Sequence, residues 1–192
     1  MLDPQAFVDL AARCAPGVAP ATLLAVARTE SGLDPLAIGV NGPRARRPVA
    51  ATPAQAATAA RALIAAGRDI DLGLAQINVR NLPRLGLSLE AAFDPCRNLA
   101  AAGSLLREAY ARGRARRGSR QAALRVALSL YNTGRVEGGF ANGYVARVVA
   151  HARSPAAPAR PEARPDPADW DVFARAARRP DRFVMTLSGA TP

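Results

Sequence analysis

The chain has 192 residues, of which 49% are hydrophobic and 21% charged, with a formal net charge of +11 at pH 7. This balance is typical of a globular protein that buries a core and excludes a wholly disordered chain; the length predicts one domain and an appendage. Aromatic residues make up only 5% of the chain, and its alanine content favours closely packed helices over a thick β-sandwich.

The first half of the chain predicts three helices. The first covers residues 3–14, and Pro16 and Pro20 separate it from a second within residues 21–32. Residues 41–53, rich in Gly, Pro and Arg, predict a loop or hairpin. Thr52 and Pro53 then form an N-cap and first-turn pair for a third helix, which ends at about Gly67.

The second half predicts three more helices. Residues 71–78 form a short segment with Gly73 as a hinge, and residues 82–89 are a turn-rich connection. Asp94 caps a helix that runs to about residue 112, and Ser119 caps another that passes Tyr131 and ends at Gly134. The last helix begins at residue 142 or 143.

Glu30 is the first candidate functional residue. Val26, Ala27 and Glu30 occupy positions i, i+1 and i+4, so the carboxylate lies on the apolar face of the second helix. Gly32 suits a helix C-cap and Pro35 forbids continuation, which puts Glu30 where the macrodipole disfavours negative charge. Partial burial also raises its pKa. A carboxyl group protonated near neutral pH is what a general acid needs; the alternative is an exposed glutamate in a frayed last turn.

All 26 basic residues are arginine, and they are densest between Arg107 and Arg125. This arginine cluster can bind a polyanion such as nucleic acid, anionic lipid or an acidic cell-wall polymer. The alternative is a solvated loop between two helices.

The two cysteines, Cys14 and Cys96, do not form a C-x-x-C pair, and only His151 could join them, so no metal site is expected. In a protein that works outside the cytoplasm they can form a disulfide. Two buried free thiols are the alternative.

Composition changes near residue 153, because seven of the sixteen prolines lie beyond it. We predict a domain over residues 1–152 and a flexible Pro/Ala/Arg-rich tail over 153–192, in which Trp170-Asp171-Val172-Phe173 can dock on the domain or bind a partner. No signal peptide is visible, and no stretch is long and apolar enough to span a membrane.

Three further segments carry amides and phenols. They are Gly73-Leu74-Ala75-Gln76-Ile77-Asn78, Tyr131-Asn132-Thr133-Gly134 and Gly143-Tyr144-Val145. Amides and phenols supply the donors and acceptors that sugar hydroxyls and acetamido groups require, and aromatic faces stack on sugar rings. Read one at a time, these residues are equally typical of turns and cores.

Preceded by Glu30-Ser31-Gly32, these segments resemble in kind and order the soluble lytic transglycosylase (SLT) family, most closely the VirB-type enzymes of type IV secretion systems. The insert over residues 38–70, Cys14-Ala15-Pro16 and Phe93-Asp94-Pro95-Cys96-Arg97-Asn98-Leu99 are similar to that branch. The resemblance covers about residues 5–151. It implies a mainly α, lysozyme-like fold, formally α+β with a very small β element.

The resemblance also implies roles for individual residues. Glu30 would be the sole catalytic acid/base, with Ser31 orienting its carboxyl group and Tyr144 supporting it from below. The residues that would line a glycan groove are Gln76, Asn78, Tyr131 and Asn132. Cys14 and Cys96 would form a disulfide between the N-terminal helix and the helix that Asp94 caps, and neither a cofactor nor a metal is implied.

The implied reaction cleaves the β-1,4 bond between N-acetylmuramic acid and N-acetylglucosamine in peptidoglycan. It leaves 1,6-anhydro ends and takes place in the periplasm. There it would locally open the cell wall for a type IV secretion or conjugation apparatus, whose components the tail could contact. A glycosidase ordinarily has two carboxylates, and here no second one stands out; Asp34 or Asp71 in that role would make the enzyme a hydrolase.

Two alternatives belong to other classes of protein. One is a catalytically weak wall-binding or assembly module of the same apparatus, for which Glu30 is incidental. The other is a nucleic-acid or membrane binder built on the arginine cluster, whose binding would depend on salt.

Overall fold

The structure is a computed structural model, and it describes residues 1–42, 47–116 and 118–153. Seven α-helices and three short strands lie within these ranges. The helices are α1 (Pro4–Cys14), α2 (Pro20–Glu30), α3 (Pro53–Ala65), α4 (Pro95–Arg114), α5 (Arg120–Thr133), α6 (Gly138–Ala141) and α7 (Tyr144–Arg153); the strands are β1 (Ile38–Val40), β2 (Ile70–Leu72) and β3 (Ile77–Asn78). Single 3₁₀ turns at Val79–Asn81, Pro83–Leu85 and Ala91–Phe93 connect β3 to α4. Of the helices described, none is long and apolar enough to cross a membrane.

The predicted helix boundaries are confirmed where side chains cap them. Thr52 Oγ1 accepts a hydrogen bond from the backbone N–H of the third helical residue of α3, Asp94 Oδ1 does so for α4, and Ser119 Oγ for α5. Each bond satisfies a backbone donor that the first helical turn leaves unpaired. At the other end of α5, Gly134 adopts φ 69°, the left-handed conformation that ends a helix.

The three strands form one small antiparallel sheet in the order β1-β2-β3. Asp71, the middle residue of β2, pairs with Gly39 on β1 and with Asn78 on β3. Ile70 and Leu72 on either side of it are fully buried, so alternation sends the Asp71 side chain to the opposite face of the sheet. The very small β element is thus confirmed, although strand β1 itself was not foreseen and neither was the four-residue helix α6.

Alanine-rich helices pack closely around a core that centres on α2, α7 and the sheet. A Cβ added to Gly113 on α4 would lie 2.6 Å from the carbonyl oxygen of Ala123 on α5, so the two helices touch nearly backbone to backbone. The largest fully buried side chains include Phe7, Leu23, Ile70, Leu72, Leu99 and Tyr144. Small residues therefore set the spacing of the helices, as the composition predicted.

The Cys14–Cys96 disulfide that the resemblance implied is present. It joins the C-terminus of α1 to the first turn of α4, with the two Cα atoms 5.2 Å apart and a separation of 82 positions in sequence. Two helices that are far apart in sequence, and are otherwise held together by packing, are thereby covalently connected.

Some expectations lie outside the described residues. They are the tail beyond residue 153 with its Trp170 segment, residues 43–46 of the predicted loop, and Arg117 of the arginine cluster. Within the described part of that cluster, Arg107 donates a hydrogen bond to Ser104 and Arg114 donates one to the carbonyl oxygen of Gly118.

Candidate active site

An open cavity of about 500 Å³ lies between the end of α2, the small sheet, α4 and α5. Five of the residues that the resemblance implied line it, namely Glu30, Gln76, Asn78, Tyr131 and Asn132. Ser31 and Tyr144 lie behind this lining and contact it through hydrogen bonds. Residues from four segments of the chain therefore meet at one site.

Glu30 is the last residue of α2 and is mostly buried. Burial raises its pKa to about 7, and the negative charge of Asp71 acts in the same direction. The hydrogen bond from Tyr144 and the charges of Arg147 and Arg47 oppose this rise in pKa. Near neutral pH the carboxyl group is thus present in both protonation states, which suits a group that gives a proton and takes one back.

Tyr144 is the partner that holds Glu30 in place. Its hydroxyl group donates a hydrogen bond to Glu30 Oε1 over 2.6 Å, and its side chain is only 2% exposed. Burial raises the pKa of this phenol far above its usual range, so the hydroxyl group remains a donor. The guanidinium group of Arg147 lies over the ring, 6.0 Å from its centroid, and Arg147 also donates to the carbonyl oxygen of Asn142.

The turn between β2 and β3 is held from three helices. Ser31, after α2, donates to the carbonyl oxygen of Leu74 over 2.7 Å, and Tyr131 on α5 donates to that of Ala75 over 2.6 Å. Asn98 on α4, which is 1% exposed, accepts from the Ala75 N–H and donates to the carbonyl oxygens of Leu72 and Ala92. Asn98 is a supporting residue that sequence reasoning missed, because its sequence neighbourhood marked only a helix start.

Ser31 and Gln76 form hydrogen bonds that the resemblance did not imply. Ser31 was expected to orient the Glu30 carboxyl group directly, but its one hydroxyl hydrogen is directed to the carbonyl oxygens of Leu74 and Ala27. Gln76, at φ 49°, uses its amide nitrogen to bond the carbonyl oxygens of Ala37 and Gly73. Gln76 thus lines the cavity with its amide nitrogen engaged, while Ser31 supports the turn behind that wall.

The two asparagines that line the cavity differ in what they can offer a ligand. Asn78 donates to Asp69 and Asp71 and accepts from the Arg80 N–H, so its polar atoms are engaged. The oxygen of Asn132 accepts from Asn142, while its amide nitrogen has no partner within the described residues. Asn132 is exposed and thus has two free N–H donors at the cavity wall.

Asp71 lines the cavity together with Glu30 and two further carboxyl groups, Asp69 and Glu108. Its Oδ1 accepts from Asn78 over 2.8 Å and its Oδ2 from Asn41 over 3.0 Å. Burial raises its pKa, and the two amide hydrogen bonds oppose that rise. The sequence signal was the alternation of Ile70, Asp71 and Leu72, which points the aspartate away from the core.

Asp34, the other candidate for a second catalytic carboxylate, lies outside the cavity lining and accepts a hydrogen bond from the backbone N–H of Leu36. At the far rim, Arg84 and Glu108 form an ion pair over 2.9 Å, next to Arg112. No group of three or more His, Cys, Asp or Glu side chains in residues 1–42, 47–116 and 118–153 is arranged to hold a metal ion.

Comparison with known proteins gives one family. The family model described as "Transglycosylase SLT domain" matches residues 8–148. The "Type IV secretion system protein virB1" of Brucella suis biovar 1 is 44% identical over 153 residues, which cover 76% of this chain and 63% of that protein. "Protein virB1" of Agrobacterium fabrum is 41% identical over 179 residues, 90% of this chain and 72% of the relative. The chain thus spans less than two thirds of the length of the Brucella protein, and no solved structure matches it.

Proposed function

Since the chain belongs to the transglycosylase SLT domain family, we propose that it is a peptidoglycan lytic transglycosylase with Glu30 as its acid and base. The observation that carries this proposal is a carboxyl group with a pKa of about 7, held by Tyr144 at the wall of an open, polar cavity. A group in this state can protonate a leaving oxygen and then act as the base that completes the reaction.

The first step breaks the β-1,4 bond between N-acetylmuramic acid and N-acetylglucosamine. Glu30 gives its proton to the glycosidic oxygen, and the electron pair of the bond between that oxygen and the muramyl C1 leaves with the oxygen. The acetamido oxygen of the muramyl residue donates a lone pair to C1, which spreads the positive charge over the acetamido group. Tyr144 stabilises the carboxylate that Glu30 has become, because its hydroxyl group already points at Oε1.

The second step forms the anhydro ring. The Glu30 carboxylate takes the proton of the muramyl C6 hydroxyl group while O6 bonds to C1. The bond between C1 and the acetamido oxygen breaks, and its electron pair restores the neutral acetamide. Glu30 is protonated again, water is not consumed, and the product is a 1,6-anhydro-muramyl end.

The remaining residues serve binding and position. Asn132 offers its amide N–H groups to sugar hydroxyl or acetamido oxygens, and the walls formed by Gln76, Asn78 and Tyr131 set the shape of the groove. Neither metal nor cofactor takes part in this scheme, which uses Glu30, Tyr144 and the acetamido and C6 hydroxyl groups of the substrate.

We place this activity outside the cytoplasm, where peptidoglycan lies, in the service of a type IV secretion or conjugation apparatus. The name of the Brucella relative supports the second part. The Cys14–Cys96 disulfide supports the first, because disulfides persist in oxidising compartments such as the periplasm.

Mass spectrometry of the muropeptides released from purified sacculi by the wild type and by Glu30→Gln tests the proposal. We expect anhydro-muramyl products from the wild type only, with both proteins showing the same circular dichroism spectrum. Release of anhydro products by Glu30→Gln would remove Glu30 from its role. No release by either folded protein would favour the wall-binding module.

A lysozyme-like hydrolase is the second candidate, because Asp71 lies in the same cavity as Glu30. The same experiment separates the two: a hydrolase releases reducing-end muramyl products, which are one water molecule heavier than the anhydro products.

A further inference from the structure

We propose that Asp71 is a second catalytic group of this site, a fixed carboxylate that stabilises the positive charge on the muramyl ring and its acetamido group while Glu30 donates its proton. The inference rests on the transglycosylase function proposed above and adds a residue to it. Asp71 forms no covalent bond and takes no proton in this role, so the product remains the anhydro sugar.

The sheet fixes Asp71 at the cavity. It is the middle residue of β2, and its neighbours Ile70 and Leu72 are fully buried, so its side chain leaves the sheet on the face opposite the core. That face contributes to the same cavity as Glu30. The helix end that carries Glu30 and the strand that carries Asp71 are linked through the turn after β2, which Ser31 contacts at Leu74.

Both oxygen atoms of Asp71 are held by amides. Asn78, its partner in the register with β3, donates to Oδ1, and Asn41, just beyond β1, donates to Oδ2. Both hydrogen bonds are stronger to a charged oxygen, so they favour the ionised group and oppose the rise in the pKa of Asp71 that burial causes. Each oxygen keeps a lone pair for a ligand, such as the N–H of an acetamido group.

Glu30 is held by fewer donors. It receives a hydrogen bond from Tyr144 and lies at the C-terminus of α2, where a negative charge is disfavoured. Burial raises the pKa of both carboxyl groups, but two amide donors oppose this rise at Asp71, which favours Glu30 as the proton donor and Asp71 as the charged group.

Other charged and titratable groups surround the pair. Asp69 precedes β2 and is paired with Arg80 over 3.4 Å. Arg47 acts on both carboxyl groups from the loop after β1. Tyr131 on α5 and Tyr144 and Arg147 on α7 interact with one or both of them. Arg84, Glu108 and Arg112 line the same cavity. Asp69 adds to the negative charge near the sheet, while Arg147 lies over Tyr144 on the Glu30 side.

The reaction develops a positive charge that a carboxylate in this cavity can stabilise. When the bond to the glycosidic oxygen breaks, C1 becomes positive before the acetamido oxygen bonds to it, and the acetamido group then carries the charge. A carboxylate that is already oriented and partly shielded from water stabilises both species without reorganising.

Kinetics of Asp71→Asn on sacculi and on a soluble muropeptide oligomer test the role. We expect kcat for anhydro product to fall by about 10²-fold, the range measured when one preorganised charge-stabilising group is removed, with KM little changed. The basic limb of the pH profile should move to lower pH, because Glu30 loses a negative neighbour that raises its pKa. Asp34→Asn is the matched control, since Asp34 caps Leu36 outside the cavity, and it should behave as the wild type.

Three outcomes would overturn the inference. The first is an unchanged kcat in Asp71→Asn. The second is a loss that falls only on reducing-end products while anhydro release is retained, which would make Asp71 a base for water. The third is a basic limb that stays in place or moves to higher pH. If the wild type itself releases no anhydro product, the proposed function fails as well, and the two failures are therefore distinguishable.

A binding measurement tests the same idea without a change at Asp71. Calorimetry on the Glu30→Gln protein compares a cationic iminosugar and the neutral lactam of the same N-acetylated sugar skeleton. With Glu30 uncharged, we expect the cation to bind about tenfold or more tightly than the lactam, because a nearby carboxylate attracts it. Equal affinity for the two ligands would contradict a carboxylate facing the anomeric position.

Discussion

Replacement of Tyr144 by phenylalanine isolates what one hydroxyl group does for Glu30. The ring is 2% exposed and packs in the core, so Tyr144→Phe removes the donor 2.6 Å from Glu30 Oε1 and leaves the packing of the ring in place. That hydrogen bond stabilises the ionised form of Glu30 and therefore lowers a pKa that burial has raised. Without it, the pKa of Glu30 should rise further.

The size of the effect follows from the strength of such a bond. A hydrogen bond to a charged group contributes about 1.5–3 kcal/mol, and about 1.36 kcal/mol corresponds to one pKa unit. We therefore expect the pKa of Glu30 to rise by about 1–2 units in Tyr144→Phe. The carboxylate formed after proton donation loses the same stabilisation by the hydrogen bond, so kcat should fall by about 10–100-fold.

Rates of anhydro-muropeptide release measured from pH 4 to pH 9 provide the assay. The basic limb of kcat/KM requires protonated Glu30, so it should extend to higher pH in Tyr144→Phe while the maximal rate falls. Tyr110→Phe makes the same chemical change on α4, away from Glu30, and should leave the profile as in the wild type. A basic limb that stays at its wild-type position, or moves to lower pH, would refute the assignment of Tyr144 as the stabiliser of the carboxylate.

Three further predictions concern stability. The folded-state pKa of Glu30 lies above its unfolded value, so its contribution to the free energy of unfolding is full below about pH 4.5 and is lost as the pH rises through about 7. In urea unfolding, the free energy of unfolding of Glu30→Gln should therefore match that of the wild type near pH 4 and exceed it by up to about 3 kcal/mol at pH 8. Reduction of the Cys14–Cys96 disulfide, which closes a loop of 82 residues, should lower the free energy of unfolding by about 4–5 kcal/mol, and no change with dithiothreitol would contradict this. Gly73→Ala should be strongly destabilising in thermal melts, because φ is 73° and the new Cβ would lie 2.5 Å from the Asn98 amide. The left-handed conformation costs about 1–2 kcal/mol and overpacking about 1–3 kcal/mol more. A melting temperature equal to that of the wild type would refute the turn geometry.

The elements that the sequence predicted well are those with local signals. Cap residues followed by proline mark where α3 and α4 begin, and Gly134 marks where α5 ends, because these residues satisfy or terminate the backbone by themselves. Strand β1 has only three residues and exists because it pairs with β2, thirty residues later. A pairing of that kind leaves no mark in a short window of sequence.

The features of the candidate site likewise divide into those with a local sequence signal and those without one. The burial and rising pKa of Glu30 followed from its place on the apolar face near a helix end, and the structure confirms both. The partners of Ser31, Gln76 and Asn98 did not follow, because their hydrogen bonds reach backbone carbonyl and amide groups that only the folded chain brings near. A side-chain type predicts which bonds a residue can form, whereas the fold decides with which groups it forms them.

Glu30 itself shows why the chemistry of this site depends on the whole domain. Its position at the end of α2 left two interpretations open, an exposed glutamate or a buried acid. The group that decides between them, Tyr144, lies 114 residues away and begins the last helix of the described chain. Asn142 bonds the Tyr144 N–H at that helix start and also Asn132 at the cavity, so one residue joins the support of the acid to the binding wall. A change at the junction of α6 and α7 would therefore alter the pKa of Glu30 and the shape of the groove together.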